Sequence, residues 1–262
     1  MAQVTNTYSL VDFEYFLLVF VRIASFTAVA PFFSDRAVPT MVKAGFSALL
    51  AIMVTSVLQP VEMAYGSVIG YAVVVLKEVV VGLILGFVTN MCAYIITFSG
   101  NLMDMDIGLS MVAEFDPSMN TQLTVSGQLY YYFIMMLLLV SDLHRYIIKA
   151  LCDSFDTVPL AGADFQWDHL LNMFVKFMAD FFEIGFRIIL PVFACMLLTN
   201  VVLGVMAKVA PQMNMFSVGV QIKILVGFAA MFLTVFLFPE VVEMITDEIQ
   251  RILPEAIEGM HG

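Results

Sequence analysis

The sequence predicts an all-α, multi-helix membrane-protein fold built of helical hairpins, and three observations carry that prediction. Hydrophobic residues make up 61% of the 262-residue chain and charged residues only 13%, whereas soluble domains are roughly 45–50% apolar and about 25% charged. The apolar residues are gathered into long runs. Two of these, 79–103 and 188–207, carry no charge and reach the roughly 20 residues that a spanning helix needs. None of the runs alternates apolar and polar residues as barrel strands do.

Six apolar stretches follow one another. The first, 10–33, ends at a turn bracketed by Pro31 and Pro39 and holding Asp35 and Arg36. The second, 44–58, is closed by Pro60, and the third, 68–103, is interrupted early by Lys77-Glu78. Asp116-Pro117-Ser118 breaks the long segment that leads to the aromatic-rich fourth stretch, 123–140. The region 141–187 mixes Tyr146-Ile147-Ile148 and Phe174-Val175 with recurring charges, which predicts amphipathic helices packed on protein. Within it, Pro159 to Asp168 reads as a polar connector with a turn at Ala161-Gly162-Ala163-Asp164. The last two stretches, 188–207 and 216–238, flank a short polar break containing Pro211. The acidic tail (Glu240, Glu243, Asp247, Glu248, Glu255, Glu258) reads as a solvated amphipathic helix.

Composition and motif content exclude several functions. A net charge of −11 argues against nucleic acid, which selects clustered Lys and Arg, and against a polybasic contact with anionic lipid. Cys92, Cys152 and Cys195 are widely separated, without Cys/His spacing for a metal. No phosphate-binding glycine loop and no ordered nucleophile–base motif occurs, so neither an enzyme nor a cofactor is expected. The N-terminus has no basic region before its first apolar run, which argues against a cleaved signal peptide.

Charges inside apolar helices need an account, because one at the bilayer centre costs about 2.5–3.5 kcal/mol on insertion scales. Lys77 and Glu78 interrupt a run, and the pairs Lys176/Asp180 and Glu183/Arg187 are each four residues apart, on one helix face. Two readings are open: a proton or ion relay, or ion pairs that fix helix packing. Packing is preferred, since no histidine accompanies them within the apolar runs. Gly66-x-x-x-Gly70 and Gly82-x-x-x-Gly86 allow close helix approach. The segment from Gly108 to Pro117 is apolar and methionine-bearing, which suits a buried position such as a pore lumen. Lys43 and Lys208, with Arg36, favour a cytoplasmic side for their loops.

Four strings then resemble one family, the FliR/SctT component of flagellar and virulence type III secretion export gates. Ala30-Pro31-Phe32-Phe33-Ser34-Asp35-Arg36-Ala37-Val38-Pro39-Thr40-Met41-Val42-Lys43 is similar to its first loop. Lys77-Glu78-Val79-Val80-Val81-Gly82-Leu83-Ile84-Leu85-Gly86-Phe87 resembles its glutamate-then-glycine helix. Gly100 through Pro117 resembles its central loop, although Glu114-Phe115 stand where the family often has small residues. Lys208-Val209-Ala210-Pro211-Gln212-Met213-Asn214-Met215-Phe216 resembles its last hairpin loop.

The resemblance implies a non-enzymatic subunit of the flagellar export gate in the bacterial inner membrane, at the flagellar basal body. It implies a FliP-like helical region over 1–179, with a central plug near 106–122, and a FliQ-like hairpin with the acidic helix over 180–262. The plug role would fall to Gly108, Leu109, Met111, Val112, Phe115, Asp116 and Pro117. The partner-contact loop would be Lys208, Pro211, Gln212 and Asn214, and Lys77, Glu78, Lys176, Asp180, Glu183 and Arg187 would be helix-packing charges. Implied partners are FliP-like, FliQ-like and FlhB-like subunits, exported flagellar proteins in transit, and membrane lipid. The competing reading is an ion-coupled secondary transporter of small solutes; the halves of the chain lack the matching interrupted helices such carriers usually show.

Overall fold

A computed structural model describes residues 10–35, 38–58, 67–109, 125–212 and 214–261. Among the described residues the chain forms helices and no strand. They are α1 (Leu10–Val29), α2 (Thr40–Val57), α3 (Val68–Ile107), α4 (Val125–Val140), α5 (Leu143–Thr157), α6 (Trp167–Val209), α7 (Met215–Thr234) and α8 (Phe238–Glu258), with a 3-10 turn at Val235–Leu237. Each predicted apolar run lies on a helix, so the all-α membrane-protein reading holds. The mixed region 141–187 divides into amphipathic α5 and the first half of α6.

Among the described residues, four helical runs are long and apolar enough to cross a membrane: Thr40–Val57, Val68–Ile107, Trp167–Val209 and Ser217–Glu258. The 40 residues of α3 and 43 of α6 make rods about 60 and 65 Å long at 1.5 Å per residue. The hydrocarbon core of a bilayer is only about 30 Å thick. Many outward-facing residues of these runs are apolar: Met41 is 87% exposed, Leu198 68% and Leu225 72%. So much exposed apolar surface requires lipid or protein cover.

The chain divides into two compact units. The first is Met1–Met91, His144–Val175 and Ile249–Gly262; the second is Cys92–Leu143 and Lys176–Glu248.

In the first unit, α1 and α2 form a hairpin. The Thr27 and Ser47 hydroxyls are 2.7 Å apart and the Phe33 and Phe46 rings stack at 5.0 Å. The expected small-residue contact forms where α3 meets α1. A Cβ on Gly82 would run into the Arg22 carbonyl and the Ser25 hydroxyl, and one on Gly86 would lie 2.8 Å from the Phe26 oxygen. Gly66 lies outside the described residues. Around this crossing Leu18, Ile23, Phe26, Val81 and Leu85 are buried, together with Ile147 and Leu151 of α5. The connector between α5 and α6 turns where expected, with Ala161 in the left-handed region at φ 66. It is then held along the end of α8: Asp164 and Gln166 amides donate to the Met260 and Gly259 carbonyls at 3.1 and 3.0 Å.

In the second unit, Phe98 packs against Phe181, Phe182 and Phe186. The Ser99 hydroxyl donates to the Gly185 carbonyl at 3.1 Å. The hydroxyls of Tyr130 and Thr234 pair in the interior, and the Phe238 ring meets Tyr130 edge-on at 4.9 Å. The acidic helix α8 is amphipathic as expected, with Val241, Val242 and Ile245 buried. It departs from expectation at Glu248, which is 7% exposed and has a partner, because it falls on the packed face and not the solvated one.

Candidate functional site

Among the described residues, the strongest concentration of chemistry is a buried charge cluster in the first unit. Arg22 of α1 and Glu78 of α3 are both fully buried, and Arg22 Nε donates to Glu78 Oε2 at 2.6 Å. Arg22 Nη1 also donates to the carbonyls of Ser154 and Val158, at 3.2 and 3.0 Å, where α5 ends. The Ser154 carbonyl already accepts the Val158 amide at 2.9 Å, whereas the Val158 carbonyl lies past the helix end, where carbonyls lack intrahelical donors and a guanidinium is a suitable cap. Its plane lies over the Phe155 ring, 4.4 Å from the centroid. Glu78 uses its second oxygen to accept the Ala161 amide at 3.0 Å, holding the left-handed turn. Lys77 extends the cluster, donating from Nζ to the Ala163 carbonyl at 2.9 Å. One ion pair therefore binds α1, α3, the end of α5 and the connector.

Lys77 and Glu78 are among the expected packing charges; Arg22 is not. The signal was present, since an arginine inside an apolar run is costly without a partner. That partner is 56 residues away, beyond the reach of helical spacing.

The remaining charges lie on α6. Glu183 and Arg187 form the expected pair, Oε1 to Nη2 at 2.7 Å, but their side chains are 59% and 62% exposed. Lys176 and Asp180 each have an interaction of their own. Pro191 lies one turn beyond Arg187 inside the same continuous helix and removes the donor that the Arg187 carbonyl would otherwise meet. Position 180, where the resemblance puts the start of the hairpin, is likewise interior to α6. A neighbouring cavity of about 550 Å³ is apolar, walled by Leu102, Met105, Phe186, Leu190 and Phe193, with Asp106 at its edge.

Of the plug residues, Gly108 and Leu109 are described; Met111, Val112, Phe115, Asp116 and Pro117 lie outside the described residues. Gly108 follows the end of α3 at φ 92, a conformation that glycine adopts without strain. The two feet of this segment meet. Asp104, fully buried, accepts the Ser126 amide with Oδ2 at 3.1 Å and Oδ1 at 3.3 Å. One turn earlier on α3, Gly100 touches the backbone of Gly127.

At the last hairpin Lys208, which lies in the final turn of α6 rather than in the loop, and Pro211 and Gln212 of the loop are exposed. Asn214 is also exposed, but its side-chain oxygen accepts the Ser217 amide at 3.4 Å and caps α7. That cap follows from an asparagine just ahead of an apolar run.

A helical chain with four apolar runs of spanning length, outward apolar faces and ionisable groups tied into packing defines an integral membrane protein. A family model described as bacterial export proteins, family 1, matches residues 13–249, and the chain belongs to that family. It is similar to Flagellar biosynthetic protein FliR of Bacillus subtilis (strain 168), 31% identical over 224 residues, covering 84% of this chain and 86% of the relative. Proteins of the same name from Pectobacterium carotovorum subsp. carotovorum and Escherichia coli (strain K12) are 28% and 24% identical. Coverage is 96% and 99% of both chains, respectively. The resemblance read from four short strings thus extends along the chain.

Proposed function

We propose that this chain is a non-enzymatic subunit of the flagellar type III export gate in the bacterial inner membrane, at the basal body. With FliP-like and FliQ-like subunits it forms the channel through which unfolded flagellar proteins pass, with an FlhB-like subunit at the cytoplasmic side. The observation that carries this reading is the end-to-end similarity to FliR relatives. The uncovered apolar faces of α2, α6 and α7 support it, being surfaces that partner helices and lipid would cover.

Within this reading, 1–179 is the FliP-like part and 180–262 the FliQ-like part. The segment from Gly108 to Pro117 seals the lumen, with Met111, Val112 and Phe115 as sealing side chains. Lys208, Pro211, Gln212 and Asn214 present the last hairpin to the FlhB-like partner. Glu183/Arg187 and Lys176/Asp180 pack against neighbouring subunits. The transporter alternative needs a midplane site at Lys77/Glu78 and Glu183/Arg187; Lys77 and Glu78 are engaged, with Ala163 and with Arg22 and Ala161, and Glu183 is paired with Arg187.

The test is affinity purification of the tagged chain from its native membrane. Co-purification with small two-helix and larger multi-helix partners, and loss of flagellin export when the chain is deleted, is the expected result. A chain that purifies alone, with export intact in the deletion strain, overturns the proposal.

A further inference from the structure

We propose that Asp104 is a positioning residue that fixes the two feet of the central segment against each other. The first amides of a helix have no partner within the helix. In α4 the amide of the second residue, Ser126, is taken by a carboxylate from α3, with both oxygens within 3.3 Å. Asp104 is fully buried and Ser126 nearly so, at 1%. A buried carboxylate is costly unless hydrogen-bonded, and a helix N-terminus is a favourable place for one.

The second observation is independent of charge. Gly100 lies four residues before Asp104, on the same face of α3, and a Cβ there would overlap the Gly127 backbone. Two adjacent contacts, one polar and one steric, therefore register the end of α3 against the start of α4. The points at which the chain leaves at Leu109 and returns at Ser126 are set by residues outside the segment between them. If that segment seals the gate, as proposed above, the seal is held by its base; this consequence rests on that reading, while the clamp itself does not.

The experiment uses the purified gate complex with spin labels at Leu109 and Gln128, one on each foot, read by pulsed dipolar spectroscopy. The parent complex should give one narrow distance distribution. Asp104→Ala should lose it, and Asp104→Asn, which keeps an acceptor oxygen for Ser126, should retain it. An unchanged distribution in Asp104→Ala overturns the proposal. Where that variant does not accumulate, Gly100→Ala decides, since its Cβ would overlap the Gly127 backbone: loss of the narrow distribution supports the clamp and an unchanged one overturns it.

Membrane conductance separates the two readings. A gate lacking residues 111–115 that stays tight sinks the seal and leaves the label distances to judge Asp104. A gate that leaks on that deletion but stays tight in Asp104→Ala, with its label distances broadened, overturns the role of the clamp in sealing.

Discussion

Replacing Glu78 by glutamine should destabilise the folded chain far more than a change of one atom suggests. The side chain keeps an oxygen for the Ala161 amide but loses the charge opposite Arg22, which remains buried beneath Phe155. Removing one partner of a buried ion pair typically costs about 3–5 kcal/mol, since the other charge is left uncompensated. That is roughly two to three and a half orders of magnitude in the unfolding equilibrium, at about 1.4 kcal/mol per tenfold change. Arg22 also serves the Ser154 and Val158 carbonyls, so Arg22→Met should cost at least as much. The double variant Arg22→Met/Glu78→Met removes both charges together and should recover much of the sum of the two losses, because contacting residues are not additive. Unfolding in mixed detergent micelles, followed by far-UV circular dichroism, measures all three. If each single variant costs less than about 1 kcal/mol, the range of a surface pair, or if the double loss equals the sum of the singles, the cluster is not what binds α1 to α3.

Three further outcomes are expected. Gly82→Ala should cut the yield of folded chain by forcing the Arg22 carbonyl of α1 away from α3, whereas Gly45→Ala, with nothing within 4 Å, should be neutral or better; equal yields would refute the close crossing. Glu183→Gln should change the stability of the isolated chain by no more than about 0.5 kcal/mol, as for other exposed i,i+4 pairs, yet lower recovery of the assembled complex if a neighbour covers the pair; a large loss in the isolated chain refutes its exposure. Burial and the nearby Asp153 and Asp156 push the Cys152 thiol up, so less of it is thiolate at a given pH. Its alkylation in a variant lacking Cys92 and Cys195 should rise with a midpoint above the usual value of about 8.5; a midpoint at or below that, or one unmoved by Asp153→Asn, contradicts the stated cause.

Hydropathy is a local property, and the helices it marks were legible for that reason: the charge-free stretches 79–103 and 188–207 fall wholly within α3 and α6. The Glu183–Arg187 pair was legible because four residues on a helix make neighbours, but its exposure depends on what packs nearby, which spacing does not encode. Arg22 and Asp104 were passed over for a related reason. One stands alone in an apolar run and the other looks like the end of one, and each finds its partner on a different helix. Glu248 was assigned to solvent from the acidity of its surroundings, whereas the 3.6-residue period of α8 puts it on the packed face. Asn214 belongs to the expected partner-contact loop, and its position ahead of α7 marks it as a cap as well, which its side-chain oxygen fulfils toward Ser217.

The first unit is assembled from three separate pieces of chain, the last of them Ile249–Gly262. A ribosome delivers its opening helices early and this piece only after the whole of the second unit has been made. Until then the carbonyls of Gly259 and Met260 are not there to receive the connector amides of Gln166 and Asp164. The buried contacts of Ile252, Leu253 and Ala256 are missing as well. The first unit therefore stays unfinished while the second is being made, although its opening helices come first.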